Sequence, residues 1–460
     1  MANKISVISL GCPKNMVDSD NLTRKLIGNG FLYLNAPEDA DILLINTCGF
    51  IEDAKKESIE EILKLAAIKK GTKKLIVFGC LAKRYRDKLL KEIQEIDAIF
   101  GVGEDEKIIE CIKEFTGIGA LGLGVSNTTT QTPTTNPCSY AYLKISDGCN
   151  KKCTYCVIPS IRGKYRSIKP DEILKEAERS VKRGVKELIL VGQDTACYGK
   201  DLDGYNISSL LKDLCSLNDD FRIRLLYAYP ASINDSFLNV IATEDKICKY
   251  LDIPFQHSED RILRLMKRGG SRKGYLNLIG KIRGAMPDIA LRTTFIIGFP
   301  SETEKEFHSL LDFVEEVKFD RLGVFKYSKE EGTPSAKLRG QVPESVKNKR
   351  VEKIMRHQAQ ISLEKNKALI GRQFNAIIDE ISRGVALGRL YSHAPDIDGV
   401  VIIEEGSKGP GVQGSRAKTS LSLEPSNPRT PEPCSVKAGD FVTVKITSAF
   451  EYDLKGIIAE

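Results

Sequence analysis

The sequence predicts an α/β protein in three parts: an N-terminal doubly wound parallel sheet, a central partial (βα)6 barrel, and a small C-terminal all-β barrel. Three observations predict it. Strand-like and amphipathic helical runs alternate up to residue 117, six strand–helix units follow between Tyr140 and Ser328, and five short strand-like runs with glycine turns close the chain. A length of 460 residues suits three such parts, at ~100–200 residues per domain.

In the first part, Ile5–Leu10, Asp41–Asn46, Lys74–Phe78 and Ala98–Phe100 are the β-rich runs. Between them lie stretches such as Glu52–Lys69, where Ile59, Ile62, Leu63 and Ala66 recur at helical spacing. Residues 118–137 are rich in Gly, Thr and Pro without periodicity and read as a linker. The central strands are expected at Ala141–Ile145, Glu187–Val191, Arg222–Tyr227, Tyr250–Ile253, Leu291–Ile297 and Arg321–Phe325. Helices such as Pro170–Lys182 and Glu302–Val317 separate them, and Val342–Leu369 reads as one long polar helix that ends this domain near residue 370. An open α/β sheet and a partial barrel both fit six units, and both put function at the carboxyl ends of the strands. In the tail, 371–460, strands are expected at Phe374–Asp379, Val385–Tyr391, Gly399–Ile403, Phe441–Thr447 and Leu454–Ile458, the pattern of a small oligomer-binding barrel. An insertion at 406–433, rich in Gly, Ser and Pro, interrupts it and reads as disordered.

Composition narrows the class. Hydrophobic residues at 41% and charged residues at 28% are globular values, which exclude wholesale disorder and collagen-like fibres. No apolar run reaches the ~18–20 residues of a membrane helix, and Ile5–Leu10 is too brief for a secretory signal. A cytoplasmic protein without membrane contact is expected. The net charge of +7 is uneven: residues 371–460 hold ten Lys/Arg against twelve Asp/Glu, a net of −2.

The twelve cysteines carry the chemistry, because in a reducing compartment clustered thiols point to metal or redox work. Cys149, Cys153 and Cys156 lie in GCNKKCTYC directly after the first central strand. Three thiolates on one tight loop suit three corners of a cuboidal iron–sulfur cluster and leave one iron open to a ligand. Structural zinc is the alternative, but it wants four ligands and no fourth Cys or His lies near. Cys12, Cys48 and Cys80 are far apart in sequence, yet each falls just beyond the carboxyl end of an expected parallel strand. Strand ends converge along one edge of a sheet, so the three can meet there. Buried small thiols without a role are the alternative. Cys111, Cys138, Cys197, Cys215, Cys248 and Cys434 belong to no motif.

The cysteine loop, with Tyr155 between its last two thiols, resembles the signature of the radical S-adenosylmethionine (SAM) enzymes. The two triads together resemble the methylthiotransferase family nearly end to end. The resemblance is carried by SLGCPKNMVDSD at Ser9–Asp20, INTCGFIEDAKKES at Ile45–Ser58, FGCLAKRY at Phe78–Tyr85, LKISDGCNKKCTYCVIPSIRGKYRS at Leu143–Ser167, DIPFQH at Asp252–His257 and RTTFIIGFP at Arg292–Pro300. It implies a methylthiotransferase domain at 1–117, a radical SAM domain at 138–370 and a TRAM-like barrel at 371–460. It also implies SAM, two [4Fe–4S] clusters held by the two triads, an electron donor such as flavodoxin or ferredoxin, and a sulfur donor. In the family, a radical derived from SAM takes hydrogen from an unreactive carbon and the N-terminal cluster delivers sulfur.

Family members act on transfer RNA adenosine or on a ribosomal protein. GCPKN, QDTACYG at Gln193–Gly199, RLLYAYP at Arg224–Pro230 and HAPDIDG at His393–Gly399 resemble the branch that adds methylthio to an aspartate β-carbon of small-subunit ribosomal protein S-twelve. Charge points the same way: a tail gripping RNA should be basic. This tail is acidic, with Asp396 and Asp398 expected in a loop facing a basic partner. A transfer RNA enzyme and a non-catalytic iron–sulfur electron carrier are the competing readings. The resemblance puts Gln193 and Asp194 near the amino group of SAM, and Gly298, after the fifth strand, permits close approach of a ligand. Tyr155, Gln193 and Gly298 are thus the expected SAM contacts. His257 is read as a cavity residue or a structural one. Lys151, Lys152, Arg162, Lys164 and Arg166 are read as a guide for an anionic target or a solvated face.

Overall fold

The computed structural model describes residues 4–117, 139–382, 385–404 and 436–459. The expected linker and the 406–433 insertion lie outside the described residues, as do Cys138 and Cys434.

The first domain is a parallel sheet of β1 (Lys4–Ser9), β2 (Leu32–Tyr33), β3 (Ile42–Thr47), β4 (Lys74–Gly79) and β5 (Ala98–Phe100), in the order β2-β1-β3-β4-β5. Both faces are covered, because β3 is apolar at every other position on each side. Ile42 and Leu44 pack with α1 (Pro13–Gly28) and α4 (Asp105–Thr116), while Leu43 and Ile45 pack with α2 (Glu52–Ile68) and α3 (Cys80–Glu92). The edge strand β2 went unread in the sequence because two residues carry no periodicity. The strand order reverses between β1 and β3, which opens a crevice at their carboxyl ends.

In the central domain β6 (Tyr140–Lys144) leads into a short antiparallel pair, β7 (Ser146–Asp147) with β8 (Arg166–Ser167), that brackets the cysteine loop and α5 (Ile158–Arg162). Then come α6 (Pro170–Lys182), β9 (Glu187–Val191), α7 (Ile207–Cys215), β10 (Arg222–Leu225), α8 (Asp235–Thr243), β11 (Ile247–Asp252), α9 (Asp260–Met266), α10 (Arg272–Ala285), β12 (Ala290–Ile297), α11 (Glu304–Val317) and β13 (Arg321–Lys326). Six parallel strands stand in the order β6-β9-β10-β11-β12-β13, an open partial barrel. Leu188, Leu190, Ile223, Leu225 and Leu291 face the helices. Tyr142, Ile189, Val191 and Tyr250 line the inner face, where Met16 and Val17 of α1 reach in from the first domain.

After α12 (Glu344–Lys367), the strands β14 (Gln373–Ser382), β15 (Val385–Arg389), β16 (Val401–Glu404), β17 (Phe441–Ala449) and β18 (Leu454–Ile458) close a barrel. Its junction with the central domain is ionic. Glu187 is fully buried and accepts from Arg222 and Arg224 at 2.6 Å and from Arg389 of β15 at 2.9 Å. The HAPDIDG loop belongs to this junction, which corrects the expectation of an acidic outward face for Asp398 but not for Asp396, which stays exposed. Asp398 is turned inward, accepting from Tyr250 Oη at 2.7 Å and facing Arg292 at 3.5 Å, and Asp396 accepts from Tyr140 Oη at 3.1 Å. His393 is buried, and its Nε2 accepts a hydrogen bond from the Arg321 guanidinium at 2.5 Å.

Candidate iron–sulfur and cofactor site

The N-terminal triad is assembled from three strand ends. Cys12 caps α1 with Pro13 in its first turn, Cys48 follows β3, and Cys80 opens α3. Two helices thus begin at the triad and direct the positive ends of their dipoles toward it. Gly11 allows the close approach: its φ is +88°, and a Cβ there would stand 2.6 Å from Cys48 Cβ and 2.9 Å from Cys48 Sγ. Ser58 of α2 fixes Cys48, accepting from its N–H at 3.0 Å and donating to its carbonyl at 2.9 Å. Asn15 ties the loops together, donating to the carbonyls of Leu10 at 2.9 Å and Thr47 at 3.3 Å. Cys80 Sγ lies 3.7 Å from Asn15 Oδ1.

Burial raises the thiols of Cys48 and Cys80, the latter to about 12, and the neighbouring triad thiols raise both further. That mutual repulsion is the mark of three sulfurs converging on one place.

The second triad is local. Cys149 Sγ accepts the Lys151 N–H at 3.4 Å and Cys156 Sγ the Ile158 N–H at 3.5 Å, while Arg268 stands 3.8 Å from Cys153 Sγ. Burial pushes the Cys156 thiol up to about 12, and Cys153 and Cys149 add to it. Among the described residues no three His, Cys, Asp or Glu side chains are arranged to hold a single metal ion. A cubane, with its thiolates on separate irons, asks for a wider spacing than one ion does.

The triads adjoin. Cys80 packs directly on Val157 and Ile161, the first of which follows Cys156 in the chain. Arg162 locks the two domains at this point. Its side chain is 1% exposed and donates to Asn15 Oδ1 at 2.8 Å, Asp18 at 3.0 Å and Asp147 at 3.1 Å. Burial opposes its charge, but Asp18, Asp147 and the thiols of Cys80 and Cys12 hold it protonated. The expected basic patch is therefore divided: Arg162 points inward and Lys151 faces Asp194 at 3.5 Å, whereas Lys152, Lys164 and Arg166 are exposed.

Gln193 follows β9, donates to Asp147 at 3.4 Å, and has a buried amide oxygen without a partner among the described residues. Asp194 beside it is buried and accepts from Ser232 Oγ at 2.7 Å and the Tyr229 N–H at 3.2 Å. Tyr155 packs with Ile262, Met266, Phe299 and Tyr327. Gly298 (φ +74°) donates to Glu302 at 2.8 Å, and the close approach it permits is to the Lys347 stem, 2.4 Å from where its Cβ would be. His257 is buried in the loop after β11, its Nδ1 accepting from the Glu259 N–H at 3.0 Å. Lys14 and Asn15 stand in GCPKN without a chemical signal of their own, and Arg162, expected as a guide for an anionic target or a solvated face, is instead a buried link between domains.

A partial barrel with three thiols on the loop after its first strand defines a radical SAM protein. The radical SAM superfamily model matches residues 143–314, the TRAM domain model 370–458, and the model described as uncharacterized protein family UPF0004 residues 4–101. Membership of the superfamily brings SAM and a [4Fe–4S] cluster. In fold, the chain is similar to the radical SAM methyltransferase TsrM of Kitasatospora setae, at a TM-score of 0.53 and 13% identity over 84% of this chain and 77% of that one.

Similarity at the level of sequence is far greater. The ribosomal protein uS12 methylthiotransferase RimO of Thermodesulfovibrio yellowstonii is 53% identical over 98% of this chain and 99% of its own length. Those of a Thermoanaerobacter species and Clostridioides difficile are each 43% identical over 98% of this chain, and over 99% and 98% of their own lengths. The chain belongs to the ribosomal protein uS12 methylthiotransferase family.

Proposed function

We propose that the chain is a radical SAM enzyme that replaces a hydrogen on the β-carbon of an aspartate in ribosomal protein uS12 with a methylthio group. The observation that carries this reading is the adjacency of two cysteine triads from two domains, Cys80 against Val157, in a chain 53% identical to a RimO protein. Cys149, Cys153 and Cys156 would hold one [4Fe–4S] cluster, and Cys12, Cys48 and Cys80 a second. Bound there, the first supplies one-electron cleavage of SAM to start hydrogen abstraction, and the second brings the sulfur.

The protein's own work is to position and exclude. Gln193, with its unpartnered amide oxygen, is suited to accept from the SAM amino group, and Tyr155 to wall the cluster loop. Arg162 keeps the two domains in register and adds positive charge beside the Cys12 and Cys80 thiolates. The reaction also needs an electron donor and a sulfur donor. A ribosomal substrate implies the cytoplasm, and among the described residues no helix is long and apolar enough to cross a membrane.

The test is direct. Reconstituted enzyme given SAM, a reductant and uS12 should raise the mass of uS12 by one methylthio group in place of hydrogen. Modification of transfer RNA instead overturns the reading.

A further inference from the structure

Lys14 is 8% exposed, and the described residues offer its ammonium little. Among the described residues Nζ has one hydrogen bond, at 3.4 Å to the Gly192 carbonyl, sits 4.0 Å over the ring of Tyr227, and has no carboxylate in salt-bridge range. Lys347 is buried to a similar degree and differs sharply: it pairs with Glu344 at 2.7 Å and donates to the Tyr327 carbonyl at 2.9 Å. An ammonium removed from water without a counter-charge is costly. The fold nevertheless holds Lys14 there, and holds Tyr227 beneath it at φ +62°, with the Tyr227 N–H on Asp252 at 3.0 Å and its carbonyl on the Thr195 N–H at 3.2 Å.

Its position is the second half of the argument. Lys14 is two residues past Cys12 on α1, and its Nζ reaches the end of β9. The residues next to Gly192 lead straight to the other triad: Asp194 faces Lys151 at 3.5 Å, and the Lys151 N–H is on Cys149 Sγ. The charge thus stands between the two sets of thiols along this run of contacts.

Resting on the aspartate reading above, we propose that Lys14 receives the carboxylate of the substrate aspartate and thereby selects an acidic side chain over a neutral one or a nucleobase. A carboxylate would give this ammonium a direct ion-pair partner, which the described residues do not. A neutral adenine edge would not. Because the aspartate carboxyl is bonded to the β-carbon itself, gripping it also fixes the C–H bond to be broken.

The experiment compares reconstituted wild type, Lys14→Met and Lys14→Arg on uS12 and on uS12 with the target Asp changed to Asn, with iron content and substrate-free SAM cleavage as parallel readouts. Wild type should modify the Asp substrate at least 100-fold faster than the Asn one. Lys14→Met should cut that preference at least tenfold, mainly by slowing Asp turnover, with iron content and substrate-free SAM cleavage still present; Lys14→Arg should restore part of the preference. An unchanged preference in Lys14→Met overturns the assignment. So does loss of substrate-free SAM cleavage, which would give Lys14 to SAM. Wild type that cleaves SAM but leaves uS12 unmodified overturns the aspartate reading itself, and the Lys14 assignment with it.

Discussion

The two cysteine triads reach the same end by opposite routes. Cys149, Cys153 and Cys156 sit on one loop between paired short strands, and their geometry follows from a few neighbouring residues. Cys12, Cys48 and Cys80 come from the ends of three strands, and their geometry exists only when β1, β3 and β4 are in register. A local triad survives small errors in packing elsewhere. A dispersed one inherits every error of its sheet. That difference explains why Gly11, Asn15 and Ser58 crowd around the dispersed triad, while the local one relies mainly on its own backbone N–H groups.

The comparison can be broken most decisively at the thiols. Cys149→Ala should abolish SAM cleavage, measured as 5′-deoxyadenosine release, and all sulfur insertion. Cys48→Ala should stop sulfur insertion while SAM cleavage remains detectable. Full sulfur insertion by both variants would end the two-cluster reading. Gly11→Val is a subtler break, since its Cβ would collide with Cys48 and its backbone would be strained. Iron should fall to about half of the wild-type content after reconstitution, with the loss confined to the N-terminal cluster.

A remote perturbation sharpens the contrast. Glu187→Gln removes the carboxylate that faces both Arg222 and Arg224, and should lower stability by about 4 kcal/mol at neutral pH while leaving the ratio of the two clusters unchanged. Burial alone would raise the Glu187 carboxyl, but Arg222, Arg224 and Arg389 hold it well below the ordinary carboxylate range. Its contribution is therefore present in full above the unfolded value of ~4.3 and is lost as pH falls toward the depressed folded one. The gap in melting temperature between wild type and Glu187→Gln should shrink in acid. The smallest effect is expected for Arg162→Met, about 3 kcal/mol by denaturant unfolding. Lys144 still faces Asp18 and Asp147 there, which limits the loss.

Legibility followed the range of the interactions. The strands of the central sheet were readable because β9 is a nearly continuous apolar run and β10 and β12 are rich in β-branched and apolar residues, and the cysteine loop because its thiols are sequence neighbours. Asp398 was misread for the opposite reason. Two acids in a loop look solvated, and only the docking of the barrel brings Tyr140, Tyr250 and Arg292 against them. The tail keeps its net charge of −2, and the charge proposed to select the substrate is that of Lys14, inside the molecule.

Sequence alone determined the order of the longer strands and helices and the grouping of Cys149, Cys153 and Cys156, since periodicity and short spacing act over a few residues. Tertiary structure decided which distant side chains became neighbours: Cys12 with Cys48 and Cys80, Arg162 with Asn15 and Asp18, and Lys14 with Tyr227. The physical reason is that burial and pairing depend on what the opposite element presents, and no residue carries that information in its own neighbourhood of the chain.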